Sequence, residues 1–355
     1  MPGSLKKYAY INAKLRTRLS KILTDDFFNK LIRTPSLPEC VELFRNTPFG
    51  FVESVYNQTG DIKLIEIELF KREVTLYREL IPQLINEVAS FVLSLAAFYE
   101  IDNLKKAMRL WFDRRIRGRS IDDVVGYLHR DKINHILPID AIVNAESLEA
   151  IVLALQATPY ADIIQRKSER MESLKSIFPI EIGLDHYYYE QLLTQVNNLK
   201  GMDLSIARRM IGVEIDIQNM NWIIRFKNVY DLPLEQVLSY IIPQGFSVSR
   251  ESVMQVYSAK NPSEILSVLL EKKYSSLQGM LASKTSEGAS RLLLIESILE
   301  QIIRQEVRRA LGGYPFTIGI ILAYFILKRN EIRKIMTLLN AKYYGLPAER
   351  IKSAL

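Results

Sequence analysis

Cysteine is nearly absent. Cys40 is the only one in 355 residues, which excludes an internal disulfide and fits a reducing compartment. Histidine is almost as scarce, with three in the chain. His129 and His135 are too far apart to share the i, i+4 face of paired metal ligands, and His186 is remote; with one thiol, a structural zinc site is not expected. Long apolar runs are missing too. The longest, Phe316 to Leu327 (FTIGIILAYFIL), is too short to span a bilayer and reads as a buried helix. The opening MPGSLKKYAY has two lysines without an apolar run behind them, so no signal peptide is expected. The segment Gly279 to Thr285 (GMLASKT) resembles a phosphate loop, but Ser283 replaces the second glycine and no strand precedes it. There is no Gly-x-Ser-x-Gly elbow and no low-complexity linker. No catalytic, cofactor-binding or metal-binding residue is therefore expected. Cys40, on the apolar side of a capped helix, reads as a buried, inert thiol.

What remains is helix-forming sequence. Apolar residues make up 48% and charged residues 25%, enough for a sizeable core in a chain long enough for two or three domains. Leu5 to Leu23 is a basic amphipathic helix, followed by a capped start near Asp25 and Asp26. Phe49 to Asp61 is a loop or short helix between Gly50 and Gly60. Helix formers run from Ile62 to Tyr99, interrupted at Pro82, and again from Ile163 to Lys200. Arg291 to Leu311 shows the clearest helical period, and Gly312-Gly313-Tyr314-Pro315 ends it before a further helix from Phe316. No alternating strand pattern of useful length occurs, so the fold class is all-α.

One pattern recurs. EIDNLKKAMRLWFDRRIR from Glu100 returns as EIDIQNMNWIIRFKNVYDLP from Glu214, and more weakly as EIRKIMTLLNAKYYGLP from Glu331. Aligning the acids puts Glu100, Asp216 and Glu331 in register, with Asn103, Asn219 and Lys334 three residues later, at a period of about 115 residues. Acid and amide then share one helical face. Helix starts recur at nearly the same period: Ser36-Leu-Pro-Glu39 and Asn261-Pro-Ser-Glu264 read as capping boxes, and Ser147-Leu-Glu opens a similar run. Two of these helices end alike, in Thr47-Pro48-Phe49 and Thr158-Pro159-Tyr160; the third ends in Lys272-Lys273-Tyr274. Three related helical units follow, at 1–118, 119–232 and 233–355.

Paired carboxylates can do acid and base work. Acids that recur once per unit are instead expected to complement a helix end or a buried polar network. Tyr187-Tyr188-Tyr189 reads as helix packing. Arg109, Arg114, Arg115, Arg117 and Arg119, interleaved with Trp111 and Phe112, form the one conspicuous charge cluster; Arg304, Arg308 and Arg309 form a smaller one. Such a cluster is a solvated helix end, a surface for an acidic protein or a single-stranded nucleic-acid site. The net charge of +7 fits an acidic partner, an anionic membrane surface or nucleic acid alike.

Several of these features together resemble the C subunits of archaeal-type (A-type) ATP synthases, a family similar to the d subunits of vacuolar-type (V-type) ATPases. They are Tyr8-Ala-Tyr-Ile-Asn12 followed by Arg16, Arg18 and Leu23; the helix ending in Thr47-Pro48-Phe49; the three acid-bearing helices; Ile242-Pro243-Gln244-Gly245; and Pro315, Ala323-Tyr324, Arg329 and Glu331-Ile332 in that order. The third unit departs most, with Lys334 in the place of asparagine. The resemblance implies three similar helical units arranged as a funnel around a pseudo-threefold axis. It also implies a non-enzymatic central-stalk part on the cytoplasmic face of the membrane, without cofactor or small-molecule ligand. Its partners would be the D and F subunits of the central shaft and the membrane proteolipid ring, with no nucleic acid. The competing expectation from charge alone is a basic helical nucleic-acid-binding protein, whose affinity would fall steeply with salt.

Overall fold

Helix formers set the architecture, and a few breakers set its joints. The computed structural model describes residues 2–228, 232–258 and 291–354, together with Val268, Leu270 and Tyr274; the regular elements described are all helical, as expected. The capping box at Asn261, the Lys272-Lys273 helix end and the segment Gly279 to Thr285 lie outside the described residues. The chain divides into two compact parts. One comprises Met1–Ile22, Val196–Asn330 and Lys352–Leu355, the other Leu23–Gln195 and Glu331–Ile351.

In the second part, helix Asp25–Arg33 starts at Thr24, whose hydroxyl accepts from the Phe27 N–H (3.2 Å). It ends where Lys342 Nζ donates to the carbonyls of Ile32 (2.7 Å) and Thr34. Both ends thereby satisfy groups that a helix leaves without partners. Ser36 caps helix Leu37–Glu42 by accepting from the Glu39 N–H (3.4 Å) and donating to Glu39 Oε1 (2.9 Å). Ser147 caps Leu148–Ala154 by accepting from the Ala150 N–H (3.3 Å). Helix Ile62–Leu80 stops at the 3-10 turn Ile81–Gln83, which holds Pro82, and the 30-residue helix Asn86–Arg115 packs back against it. This helix is about 45 Å long. It buries Phe91, Leu95, Leu104, Met108 and Trp111 over more than one stripe, as a helix covered on several sides must.

The run from Ile163 to Lys200 is not continuous. Helices Tyr160–Leu174 and Phe178–Asn198 are separated at Lys175, which adopts φ +46°, a left-handed conformation that ends a helix and usually calls for glycine.

In the first part, helix Pro2–Leu19 buries Tyr8, Ile11 and Leu15. Lys7 Nζ and Tyr8 Oη both donate to Asp203 Oδ2 (2.8 Å each), in the first turn of helix Gly201–Asn228. The other oxygen of Asp203 accepts the Ile318 N–H (2.9 Å), ahead of helix Gly319–Tyr343. One carboxylate thus ties three chain segments together. Helix Arg291–Gly312 packs on Gly201–Asn228, where Arg209 makes a two-point pair with Glu306 (2.6 and 2.7 Å).

Candidate functional site

The acid and amide of the repeated pattern form two buried nodes with the same wiring. In the first, Glu100 is 1% exposed. One of its oxygens accepts the backbone N–H groups of Asn134 and His135 (2.6 Å each). The other accepts from Tyr160 Oη (2.6 Å) and faces His135 Nδ1 (2.7 Å). Three residues along, Asn103 donates to the His129 carbonyl (2.8 Å) and accepts the His129 N–H (3.0 Å). In the second node, fully buried Asp216 accepts the N–H groups of Ser247 (2.6 Å) and Val248 (2.9 Å) and the Tyr274 hydroxyl (2.8 Å). Asn219 pairs both ways with Ile242, donating to its carbonyl (2.8 Å) and accepting its N–H (2.9 Å).

Each node pins a loop to a long helix. The acid holds two successive amides, the amide side chain substitutes for a missing backbone partner, and a tyrosine from further along the chain closes the remaining lone pair. Buried donors and acceptors that would otherwise each cost about 1–3 kcal/mol are satisfied. In the second node the loop is Ile242-Pro243-Gln244-Gly245. Gln244 lies at φ +64°, and a Cβ on Gly245 would stand 2.3 Å from Asp216 Oδ1, so only glycine allows this approach.

The third pattern departs at its amide position. Glu331, 3% exposed, accepts the Leu23 N–H (2.7 Å). Lys334 reaches Asp25 Oδ1 (3.7 Å) and lies over the Phe28 ring (5.5 Å). Lysine carries no acceptor, so it cannot bridge a backbone N–H and C=O as Asn103 and Asn219 do. The aromatic after Thr47-Pro48 is Phe49, without the hydroxyl that Tyr160 supplies after Thr158-Pro159.

Burial pushes the Asp216 carboxyl up to about 6, against the pull of its backbone donors and Tyr274. Burial, and the carboxylates they face, hold the Tyr160 and Tyr274 hydroxyls far above the ordinary tyrosine range; both act as donors. Cys40 is buried, and burial raises its thiol to about 11, an unreactive state. His129 packs its ring on Phe70 (5.0 Å between centroids), and burial lowers its basicity. Sequence reasoning overlooked Asp203 and Glu73, both buried, the latter accepting from Tyr99 Oη. Neither carries a local signal, since each reads as an ordinary acid on a helix. Among the described residues no group of three or more His, Cys, Asp or Glu is placed to hold a metal ion, and no helix is long and apolar enough to cross a membrane.

The arginine cluster sits at the end of helix Asn86–Arg115 and in the turn at Gly118 (φ +66°). Arg109 pairs with Glu181, and Arg114 donates to Asn144 Oδ1. Arg117 and Arg119 share Asp113 (2.8 and 3.7 Å), and Arg117 lies over Phe112 (5.2 Å). Arg114, Arg115, Arg117 and Arg119 crown the helix end as an exposed basic rim with exposed Ile116 among them, and Arg109, also exposed, lies further back along the helix. Trp111 is turned inward, donating to the Ala145 carbonyl (3.0 Å), which removes it as a stacking surface.

The family described as ATP synthase (C/AC39) subunit matches residues 11–354. The chain is similar to the A-type ATP synthase C subunit of Methanocaldococcus jannaschii, 26% identical over 353 residues that cover 99% of this chain and 86% of that protein. It is also similar to the proteins of the same name from Thermococcus onnurineus, 25% identical, and Pyrococcus furiosus, 23% identical. Each alignment covers 97% of this chain and 89% of the relative.

Proposed function

The chain belongs to the ATP synthase (C/AC39) subunit family, and from that membership we propose that it is a non-catalytic central-stalk component of a rotary A-type or V-type ATPase or ATP synthase. In this reading it is a socket on the cytoplasmic face of the membrane that couples the central shaft, made of the D and F subunits, to the proteolipid ring during ion transport. Three similar helical units, 1–118, 119–232 and 233–355, form a funnel around a pseudo-threefold axis. The observation that carries the proposal is the match over residues 11–354. The nodes support it physically. A part that transmits torque needs loops fixed to long helices, and here the buried carboxylates are committed to that fixing rather than turned toward a ligand.

Purifying the tagged protein from its native membranes in mild detergent tests the proposal. Recovery of shaft, ring and nucleotide-binding subunits is the expected outcome; recovery of nucleic acid alone would replace this reading with the basic nucleic-acid-binding one. The exposed rim of Arg114, Arg115, Arg117 and Arg119 is the proposed partner surface. Arg109, paired with Glu181, lies further back along the helix. Reversing Arg114, Arg115 and Arg117 to glutamate is expected to lower co-purification of the shaft proteins at least tenfold, while the melting temperature falls by no more than a few degrees through the lost Asp113 and Asn144 contacts and the helix end. Unchanged recovery would remove the rim from the interface.

A further inference from the structure

The first 24 residues contain no acidic side chain and a run of basic ones, among them Lys6, Lys7, Lys14, Arg16, Arg18 and Lys21, and the structure puts much of that imbalance on one surface. Helix Pro2–Leu19 turns Tyr8, Ile11 and Leu15 inward. At 100° per residue the opposite face carries Lys6, Ala9, Tyr10, Ala13 and Thr17, all exposed, flanked by Lys14 on one side and Arg16 on the other, and exposed Lys21 follows in the turn after the helix. Tyr10 is 66% exposed with Lys14 Nζ 5.9 Å from its ring centre, and Leu5 is 48% exposed. The basic surface continues beyond the helix. Arg16 donates to the Leu311 carbonyl (3.5 Å), beside exposed Arg308 and Arg309, and Ser4 Oγ lies 3.5 Å from the hydroxyl of partly exposed Tyr314. Two buried acids of the neighbouring elements are engaged beneath it: Asp203 by Lys7 and Tyr8, Glu306 by Arg209 and Arg309.

We propose that this face, Leu5, Lys6, Tyr10, Lys14, Arg16 and Lys21, lies on a bilayer surface containing anionic lipid. Three features favour lipid over an acidic protein or nucleic acid. The charges are spread along a helix rather than focused in a pocket, as contact with a continuous, laterally mobile anionic surface requires. Most are lysines, compact charges on flexible stems suited to headgroups rather than to two-point recognition of fixed carboxylates. The exposed large side chains among them are a leucine and tyrosines, of which tyrosine prefers the water–lipid boundary. The inference takes from the proposed function only that a membrane is near.

Flotation of the full-length protein with vesicles of phosphatidylcholine alone, and of phosphatidylcholine with about 30 mol% phosphatidylglycerol, an anionic fraction high enough to attract basic side chains, tests it. Binding is expected only to the anionic vesicles, falling as salt rises. Each lysine contributes about fivefold to such partitioning, so Lys6→Glu/Lys14→Glu/Lys21→Glu should lower it by at least about a hundredfold. The control Lys30→Glu/Lys132→Glu/Lys200→Glu, with the same net charge, should retain most of it. Tyr10→Ser should lose several-fold at constant charge. Equal loss in the two triple variants, or no preference for anionic vesicles, overturns the proposal. Recovery of the complex in detergent, where no bilayer is present, separates the two readings. A Lys6/Lys14/Lys21 variant that still brings down its partners supports lipid contact, and one that loses them makes this face a protein interface instead.

Discussion

At the residue scale, the asparagines of the nodes are the sharpest test of what holds the loops. Asn103→Ala or Asn219→Ala removes both partners of one buried backbone residue, His129 or Ile242. Each is expected to cost about 2–4 kcal/mol, read from urea unfolding. Asp216 gives the pH signature. Its carboxyl, raised to about 6 in the fold, lies near 3.9 in an unfolded chain. The folded state therefore binds the extra proton between those values. Its contribution is complete below about pH 4 and is lost as pH rises through 6. The stability difference between the parent and Asp216→Asn should shift by more than about 1 kcal/mol between roughly pH 4 and pH 7, in the sense that the parent loses more as pH rises. A flat difference would show the carboxyl ionised throughout. The register of Glu100, Asp216 and Glu331 was readable from spacing, because recurrence on a helix face is local. Their partners were not: Tyr160 is 60 residues from Glu100 and Tyr274 is 58 from Asp216, and only the fold brings them together. Tyr160 could be seen as the residue after a helix stop, but nothing local marks its hydroxyl as a donor.

At the scale of elements, helix ends were legible wherever the chemistry is in the side chain. Thr24, Ser36 and Ser147 cap as short acceptors should, and Pro82 closes the helix before it. The break at Lys175 was overlooked: lysine itself gives no sign of it, but Pro179 in the first turn of the next helix and Ser176, which accepts the Phe178 N–H (3.3 Å), mark a stop and a start there, and the backbone turns at φ +46°. A residue forced into that region gives up about 1 kcal/mol that glycine does not. Lys175→Gly is thus expected to raise stability by about 0.5–1 kcal/mol, measured as a higher melting temperature, whereas the same change at Lys167, inside helix Tyr160–Leu174, should lower it. Helix Gly319–Tyr343 starts three residues later than Phe316, with Ile318 at its entry: the Ile318 carbonyl accepts the Leu322 N–H (3.1 Å), and its own N–H, which no helical turn would satisfy, goes to Asp203.

For the whole molecule, the all-α class was evident from composition and period, but the way distant stretches combine was not. Residues 331–351 belong to the same compact part as 23–195, and Glu331, Asn340 and Lys342 bond to Leu23, Glu66 and the Ile32 and Thr34 carbonyls. A chain ending at Asn330 should therefore lose cooperative unfolding of that part and become sensitive to protease near residues 23–34, while removal of residues 352–355 alone should not. Helix Pro2–Leu19 carries the same logic into biosynthesis. Tyr8 leaves the ribosome 195 residues ahead of the Asp203 it bonds, and at about 5–20 residues per second that interval is roughly 10–40 s. Throughout it the inward side of the first helix, Tyr8, Ile11 and Leu15, has no partner from its own compact part. The growing chain then carries an apolar helix face that its own later segments must cover, and slow synthesis of its middle lengthens the exposure.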